Sequence, residues 1–111
     1  MVQIGNIYVM KVYFKEESGD FKDRPVLVFN QDETGLYTVV EITSVPPKNP
    51  PGFYDGFKEE IKKWQKCGLD QPSYVKCKNT HRVEEEKLYK LIGTMSVDDF
   101  NNIIDKLTEY N

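Results

Sequence analysis

The hydrophobic pattern of the chain is typical of a small β-rich protein. Residues 4–14 are aromatic and β-branched, and their apolar side chains occupy both faces of an extended segment. Such a pattern predicts a long, largely buried first strand. The charged residues 15–23 follow around Gly19, and they predict a surface loop.

The best-defined pair of strands is a hairpin. Residues 26–29 are an unbroken apolar run, residues 30–35 are a polar turn that ends in glycine, and residues 37–44 are a second β-rich run. An unbroken apolar run is typical of a strand that is buried on both faces. The sequence therefore predicts an antiparallel pair at the centre of a sheet.

Two polar residues lie at one end of this hairpin. Arg24 comes just before the first strand and Thr43 near the end of the second, so antiparallel pairing brings them to the same end of the sheet. By the pattern alone, Arg24 is a solvated charge at a strand entry and Thr43 is a β-former. That plain interpretation is favoured until other information bears on it.

The middle of the chain predicts a stiff segment and then a helix. Residues 45–52 contain four prolines and a glycine, which excludes a helix or a central strand. The segment is either one wall of a groove beside Thr43 or a plain spacer. Asp55 is a suitable cap, and Phe57, Ile61 and Trp64 recur at helical spacing, so a helix is expected near 56–66.

The last third of the chain predicts two strands and a helix. Residues 73–81 alternate as a half-buried strand with lysines on one face, and residues 88–95 form a last strand. Ser96 is an N-cap candidate with acids in the first turn after it. The apolar face of the terminal helix is expected to contain Val97, Phe100, Ile103, Ile104 and Leu107.

Composition is that of one soluble globular domain over residues 1–111, with 39% apolar and 30% charged residues. No apolar run is long enough to span a membrane and no leader pattern is present, so a cytoplasmic protein is expected. Cys67 and Cys77 lack a ligand pattern and His81 is the one histidine. A metal site or a histidine triad is therefore poorly supported, and the thiols are expected to be reduced and either structural or incidental.

The net charge is −3, which does not itself indicate a nucleic-acid-binding protein. Residues 58–82, however, contain seven Lys or Arg and three acids. A basic region of this kind binds phosphates in some proteins, and in others it is a solvated face. The residues alone leave both explanations open.

Six short motifs follow one another in the order found in a known family. They are residues 5–8 (GNIY), 23–28 (DRPVLV), 42–44 (ITS), 68–69 (GL), 73–76 (SYVK) and 92–96 (IGTMS). In these motifs the chain resembles the PemK/MazF family of toxin ribonucleases, and the fit is poor between residues 46 and 67.

The resemblance implies a mostly β protein with helices (α+β), an SH3-like antiparallel β-barrel with a C-terminal helix and the inserted helix near 56–66. It also implies a homodimer and a cognate antitoxin protein as partner. The implied activity is sequence-selective cleavage of single-stranded RNA without metal or cofactor. Attack by the 2′-hydroxyl would leave a 2′,3′-cyclic phosphate and a 5′-hydroxyl.

By the same resemblance, the catalytic pair is Arg24 and Thr43. Arginine stays protonated, so a donor or electrostatic clamp suits Arg24 better than a general base. Residues expected to bind RNA are Lys22, Ser44, Lys78, Asn79 and His81.

Several positions depart from the family pattern. Gly19 replaces an acid, Lys78 and Asn79 replace an acid–glutamine pair, and His81 often corresponds to arginine. These departures keep a second hypothesis open, a non-catalytic RNA- or protein-binding module on the same barrel. A thiol enzyme is disfavoured because neither cysteine has a base nearby in the sequence.

Overall fold

The computed structural model describes residues 2–15 and 20–111. In this part of the chain, six strands precede one α-helix. They are β1 (Asn6–Lys15), β2 (Asp20–Gln31), β3 (Tyr37–Thr43), β4 (Lys58–Glu60), β5 (Tyr74–Val83), β6 (Lys90–Thr94) and α1 (Val97–Tyr110). Short 3-10 helices cover Phe53–Phe57, Trp64–Cys67 and Glu85–Lys87.

The strands form one antiparallel sheet in the order β4-β5-β3-β2-β1-β6. The predicted hairpin is confirmed as β2 and β3, but β2 begins at Asp20, well before the predicted apolar run. The hydrophobic pattern does not predict this first half of the strand because it contains charged residues and Pro25, which pairs with Val9. Residues 20–23, which were predicted to belong to the loop over 15–23, are therefore part of β2, and residues 16–19, including Gly19, lie outside the described residues.

Both faces of the sheet are packed, as the unbroken run in β2 predicts. Leu27 belongs to a core beneath α1, together with Ile103 of that helix. Val26 and Val28 belong to a second core on the opposite face. Alternate residues of one strand therefore supply two separate cores.

The sheet does not close into the predicted SH3-like barrel. Among the described residues β4 and β6 form the two edges and do not pair. The 3-10 helix Trp64–Cys67 packs against β6 instead. A Cβ atom on Gly93 would lie 2.3 Å from the Cys67 carbonyl oxygen, and one on Gly68 would lie 2.4 Å from that of Ile92. Two glycines thus permit a close backbone approach in place of strand pairing.

The prediction of a helix near 56–66 is wrong. The segment forms β4 between two 3-10 helices, and β4 pairs with β5. Its Ile61 is fully buried in the core beneath α1. The N–H groups of Lys62 and Lys63 donate to the Asp99 carboxylate at 3.1 and 2.9 Å, whereas a helix would direct them to carbonyls of the preceding turn. Tertiary hydrogen bonds thus override the helical spacing.

The terminal helix is confirmed. Ser96 Oγ accepts from the Asp99 N–H at 3.2 Å, as an N-cap does. Ile103 and Leu107 are buried in the core, but Val97 is 74% exposed and does not belong to the packed face. Val97 is the first helical residue, placed before the turn that contacts the sheet. No helix in the described part of the chain is long and apolar enough to cross a membrane.

Candidate active site

The strands β2 and β3 bring the two predicted catalytic residues to the same end of the hairpin. Val26 and Glu41 are the last pair of this ladder, and Arg24 and Thr43 each lie two residues beyond it on their own strands. Alternation puts both side chains on the face that carries Val26. The end-of-hairpin relationship expected from the sequence is therefore present, although Arg24 lies within β2 and pairs with Met10 of β1.

These two side chains are held in place by their surroundings. Arg24 is partly buried, and its Nε atom is buried. Thr43 is 6% exposed, and its Oγ1 accepts a hydrogen bond from the Val45 N–H at 3.1 Å. That bond fixes the hydroxyl oxygen, and the hydroxyl hydrogen is the donor that a phosphate oxygen would need. Lys22 and Ser44, the predicted helpers, are exposed beside the pair.

A carboxylate lies between this pair and β5. Glu41 is 4% exposed on the same face of β3 as Thr43, two residues away. Its Oε2 is 2.8 Å from His81 Nε2 and its Oε1 is 3.8 Å from Lys76 Nζ. The Asn79 side chain also interacts with it and helps to lower its pKa.

An irregularity in β5 creates this cluster. Val40 pairs with Thr80 and Ile42 pairs with Val75, so one residue of β3 faces four residues of β5. The extra residues interrupt the regular pairing of β5 with β3, as a bulge does. Lys76 and Asn79 therefore reach the same carboxylate although they are three positions apart.

The environment of Glu41 keeps its carboxyl ionised. Burial alone raises the pKa of a carboxyl, but the hydrogen bond from His81 and the charge of Lys76 outweigh that effect. The pKa of Glu41 is consequently below its ordinary value. Because the carboxylate then has no proton to give, His81 Nε2 is the donor in their hydrogen bond.

Lys78 lies apart from this cluster. Its ammonium donates to the carbonyl oxygen of Tyr110 at the end of α1, and it lies 5.3 Å from the centroid of the Phe57 ring. The structure thus brings Asn79 and His81 to Glu41 but directs Lys78 to the helix terminus.

A groove of about 890 Å³ opens beside His81. Lys11 and Lys87 line it from β1 and from the segment before β6. Arg82 also lines it, but the Arg82 guanidinium is engaged by the Asp32 carboxylate. The groove is lined mainly by basic and aromatic side chains, which suits a negatively charged ligand.

The two thiols lie away from this site. Cys67 and Cys77 are free and buried, and both belong to the core beneath α1. Burial raises the pKa of both thiols, that of Cys77 to about 12, so neither carries a reactive thiolate near neutral pH. Among the described residues no group of three or more His, Cys, Asp or Glu could hold a metal ion.

The sequence patterns did not identify Glu41 as a residue of the site. An acid in the middle of the apolar run 39–42 was a usable signal, since a buried carboxylate requires partners. Its partners were not predictable because they depend on the irregular register of β5.

A six-stranded antiparallel sheet with a C-terminal helix on one face is the fold of the MazF toxins. Toxin MazF-mt6 of Mycobacterium tuberculosis superposes with a TM-score of 0.67 at 21% identity, covering 94% of this chain and 93% of that chain. MazF from the MazE–MazF structure of Deinococcus radiodurans superposes at 0.70 with 14% identity, covering 98% of this chain and 94% of that chain.

The family is set by the sequence itself. Residues 3–110 match the family described as PemK-like, MazF-like toxin of type II toxin–antitoxin systems. The chain belongs to that family, as its motifs predict. A comparison with curated proteins found no match.

Proposed function

We propose that this protein is a metal-independent endoribonuclease that cleaves single-stranded RNA with sequence selectivity, as the toxin of a type II toxin–antitoxin pair. The observation that carries the proposal is the position of Arg24 and Thr43 at one end of the β2–β3 hairpin, on the face that carries Val26 and Glu41. Both residues lie within residues 3–110, the range that matches the family. Membership of the family supports the activity, and the placement of the pair supports these residues as its catalytic groups.

The proposed reaction requires neither a metal ion nor a cofactor, because the RNA supplies its own nucleophile. The 2′-hydroxyl oxygen attacks the adjacent phosphorus while the bond to the 5′-oxygen breaks, which gives a 2′,3′-cyclic phosphate and a 5′-hydroxyl. The 2′-hydroxyl gives its proton to water and the 5′-oxygen takes up a proton from water, so the number of protons is unchanged. Arg24, always protonated, would donate to the non-bridging phosphate oxygens, and Thr43 would donate through its hydroxyl. DNA is not a substrate, since it lacks the nucleophile.

Binding of the RNA strand is assigned to residues around the pair. Lys22 and Ser44 would contact phosphates next to the scissile one, since both are exposed beside it. Asn79 and His81, held by Glu41, would contact the RNA from the side of β5. Lys78 would act further along the strand, because it lies at the end of α1.

Assembly follows from the same family. In the Deinococcus radiodurans structure MazF is found together with MazE. By analogy, two copies of this chain would form a homodimer, and a small antitoxin protein would cover the RNA-binding groove. The test is size-exclusion chromatography with light scattering, with and without a candidate antitoxin.

A non-catalytic binding module is the second candidate. It is favoured by the ion pairs of Glu41, which neutralise part of the positive charge beside Thr43. Such a module would bind RNA or a protein and leave RNA intact.

One experiment separates the two candidates. A long mixed-sequence RNA is incubated in EDTA with the protein, with Arg24→Ala and with Thr43→Ala. Fragments with 2′,3′-cyclic ends that disappear in both variants are the expected result. Intact RNA at a large excess of folded protein would favour the binding module. Cleavage that persists in Arg24→Ala would overturn the assignment of the catalytic pair.

A further inference from the structure

A second groove, of about 600 Å³, is lined by Lys76 and, among the described residues, shares no lining residue with the His81 groove. Its lining combines four lysines with one exposed aromatic ring, and the residues concerned are Lys48, Lys58, Lys76, Lys78 and Phe53. This groove is built largely from the segment that fits the family pattern poorly.

The charge of this groove is positive. Its lysines outnumber the two carboxylates that contact them, those of Asp55 and Glu41. Lys58 is largely buried and lies 3.1 Å from Asp55 Oδ1, so its charge is partly compensated. Lys48 and Lys78 are exposed. Positive charge therefore concentrates where a phosphate backbone would pass.

An aromatic surface adjoins the lysines. Phe53 is 80% exposed, and its ring packs edge-on against Phe57 with centroids 6.1 Å apart. Phe57 packs in the same way against Tyr110, at 5.2 Å. The inner ring is thus anchored to α1, while the outer ring presents its surface to solvent.

The segment that carries Phe53 is held rigidly. Asp55 Oδ2 accepts from the N–H groups of Gly52 and Lys48, at 2.6 and 3.1 Å. The hydrogen bond from Gly52, together with that from Lys48 and the neighbouring Lys58, keeps the pKa of Asp55 below its usual range. One ionised carboxylate therefore closes the loop of residues 48–52 and orients Phe53.

The groove is continuous with the candidate catalytic pair. Lys58 Nζ donates to the Val45 carbonyl oxygen at 3.3 Å, and the N–H of Val45 donates to Thr43 Oγ1. On the other wall, Lys76 lies against Glu41, two residues from Thr43. A strand whose scissile phosphate sits at Thr43 would enter this groove with its neighbouring nucleotides.

From these contacts we propose that this groove is a subsite for single-stranded RNA next to the cleaved bond. The lysines bind successive phosphates, and Phe53 stacks against an unpaired base. A lysine-lined groove with a stacking ring is the usual way of binding a single strand. A protein interface would need a contiguous apolar area, whereas Phe53 is the one apolar side chain among the described residues lining the groove.

The subsite rests on the proposed function, and its test is a binding titration. Fluorescent single-stranded RNA, 2′-O-methylated throughout so that it resists cleavage, is titrated at lengths of about 8 and about 20 nucleotides. Phe53→Ala should weaken binding of the longer RNA about 5- to 100-fold. Lys48→Ala should weaken it and lower the slope of log affinity against log salt by about 0.7.

Matched controls come from other surfaces. Val97→Ala removes an exposed apolar side chain of α1, and Lys90→Ala removes an exposed lysine of β6. Neither variant should change affinity more than about twofold. Binding by both groove variants equal to that of the controls would overturn the subsite. Weakened binding of an antitoxin with unchanged RNA binding would also overturn it, in favour of a protein contact.

The possible results distinguish a failure of the subsite proposal from a failure of the proposed ribonuclease activity. If cleavage depends on Arg24 but Phe53→Ala binds RNA as tightly as the native protein, the ribonuclease proposal is retained and the subsite is rejected. Phe53-dependent binding by a protein that never cleaves RNA would reject the ribonuclease and keep the subsite.

Discussion

Nε2 of His81 donates a hydrogen bond of 2.8 Å to the buried carboxylate of Glu41, joining β5 to β3. This bond fixes which ring nitrogen carries hydrogen and leaves Nδ1 for another partner. The same carboxylate lies close to Lys76. Glu41 therefore orients both the His81 ring and the Lys76 ammonium beside the Arg24–Thr43 pair. Glu41 is therefore expected to matter for stability as well as for RNA binding.

Replacing Glu41 by Gln should destabilise the protein by about 1–3 kcal/mol at pH 7, because charged hydrogen bonds are lost in a buried place. The folded-state pKa of Glu41 is lowered from 4.5. Its contribution is therefore present above pH 4.5 and is lost as the pH falls through the folded value. Urea unfolding of both proteins should show the difference narrowing in acid. A difference that stays constant from neutral pH into acid would contradict this account.

Replacing Arg24 by Lys keeps the charge but removes the planar fork of donors. Cleavage of a fixed RNA should slow about 10²- to 10³-fold in kcat, the usual cost of removing one transition-state donor. KM should change much less. Lys90→Ala, which removes an exposed lysine of β6 on the other side of β1 from β2, is the control and should cleave normally. A kcat within a factor of two of the native value would show that charge alone is sufficient.

Asp99 links the start of α1 to the segment after β4. Asp99→Asn should cost about 1–3 kcal/mol, since the N–H groups of Lys62 and Lys63 lose an ionised acceptor. Amide hydrogen exchange at these two residues should accelerate. Asp98→Asn is a matched control because Asp98 is exposed and its carboxylate forms a surface ion pair with the Lys63 ammonium. It should change stability by less than about 0.5 kcal/mol.

The contact between β6 and the second 3-10 helix depends on glycine. In Gly93→Ala the new Cβ would lie 2.3 Å from the Cys67 carbonyl oxygen, so backbone must move at a cost of about 1–3 kcal/mol. Gly56→Ala has nothing within 4 Å of its new Cβ and should be nearly neutral. Thermal unfolding of the two variants would test this. Equal melting temperatures would mean that the backbones at Gly93 and Cys67 are not in close contact in solution.

Both thiols should resist alkylation in the folded protein. Cys77 is fully buried with its pKa raised to about 12, and Cys67 is buried beside it in the same core. Iodoacetamide at pH 8 should therefore label neither cysteine until urea is added, after which mass spectrometry should find both modified. Rapid labelling of the native protein at either cysteine would reopen a reactive role for that thiol.

The sequence predicted those parts of the fold that follow from local pattern. Alternation and apolar runs located β1, β3 and α1, and the unbroken run in β2 correctly indicated burial on two faces. The family motifs contain Arg24 and Thr43, and the hairpin alone was enough to bring them to one end.

The failures have a common physical origin. Phe57, Ile61 and Trp64 have helical spacing, yet Ile61 reaches the core directly after β4 and Trp64 packs against it from a 3-10 helix. What decides that segment is hydrogen bonding to β5 and to Asp99, which are distant in sequence. The Glu41 cluster likewise depends on a bulge in β5. Long-range hydrogen bonds and register irregularities leave no local pattern.

The position of β6 at the edge of the sheet has a consequence for the timing of folding. β1 pairs with β6, and Thr94 Oγ1 donates to Asn6 across 88 residues. The outer edge of β1 can therefore gain its partner only after Thr94 has been synthesised. Until then β1 exposes unpaired backbone groups on the ribosome, so a nascent chain that stalls before β6 would be open to strand pairing with another chain.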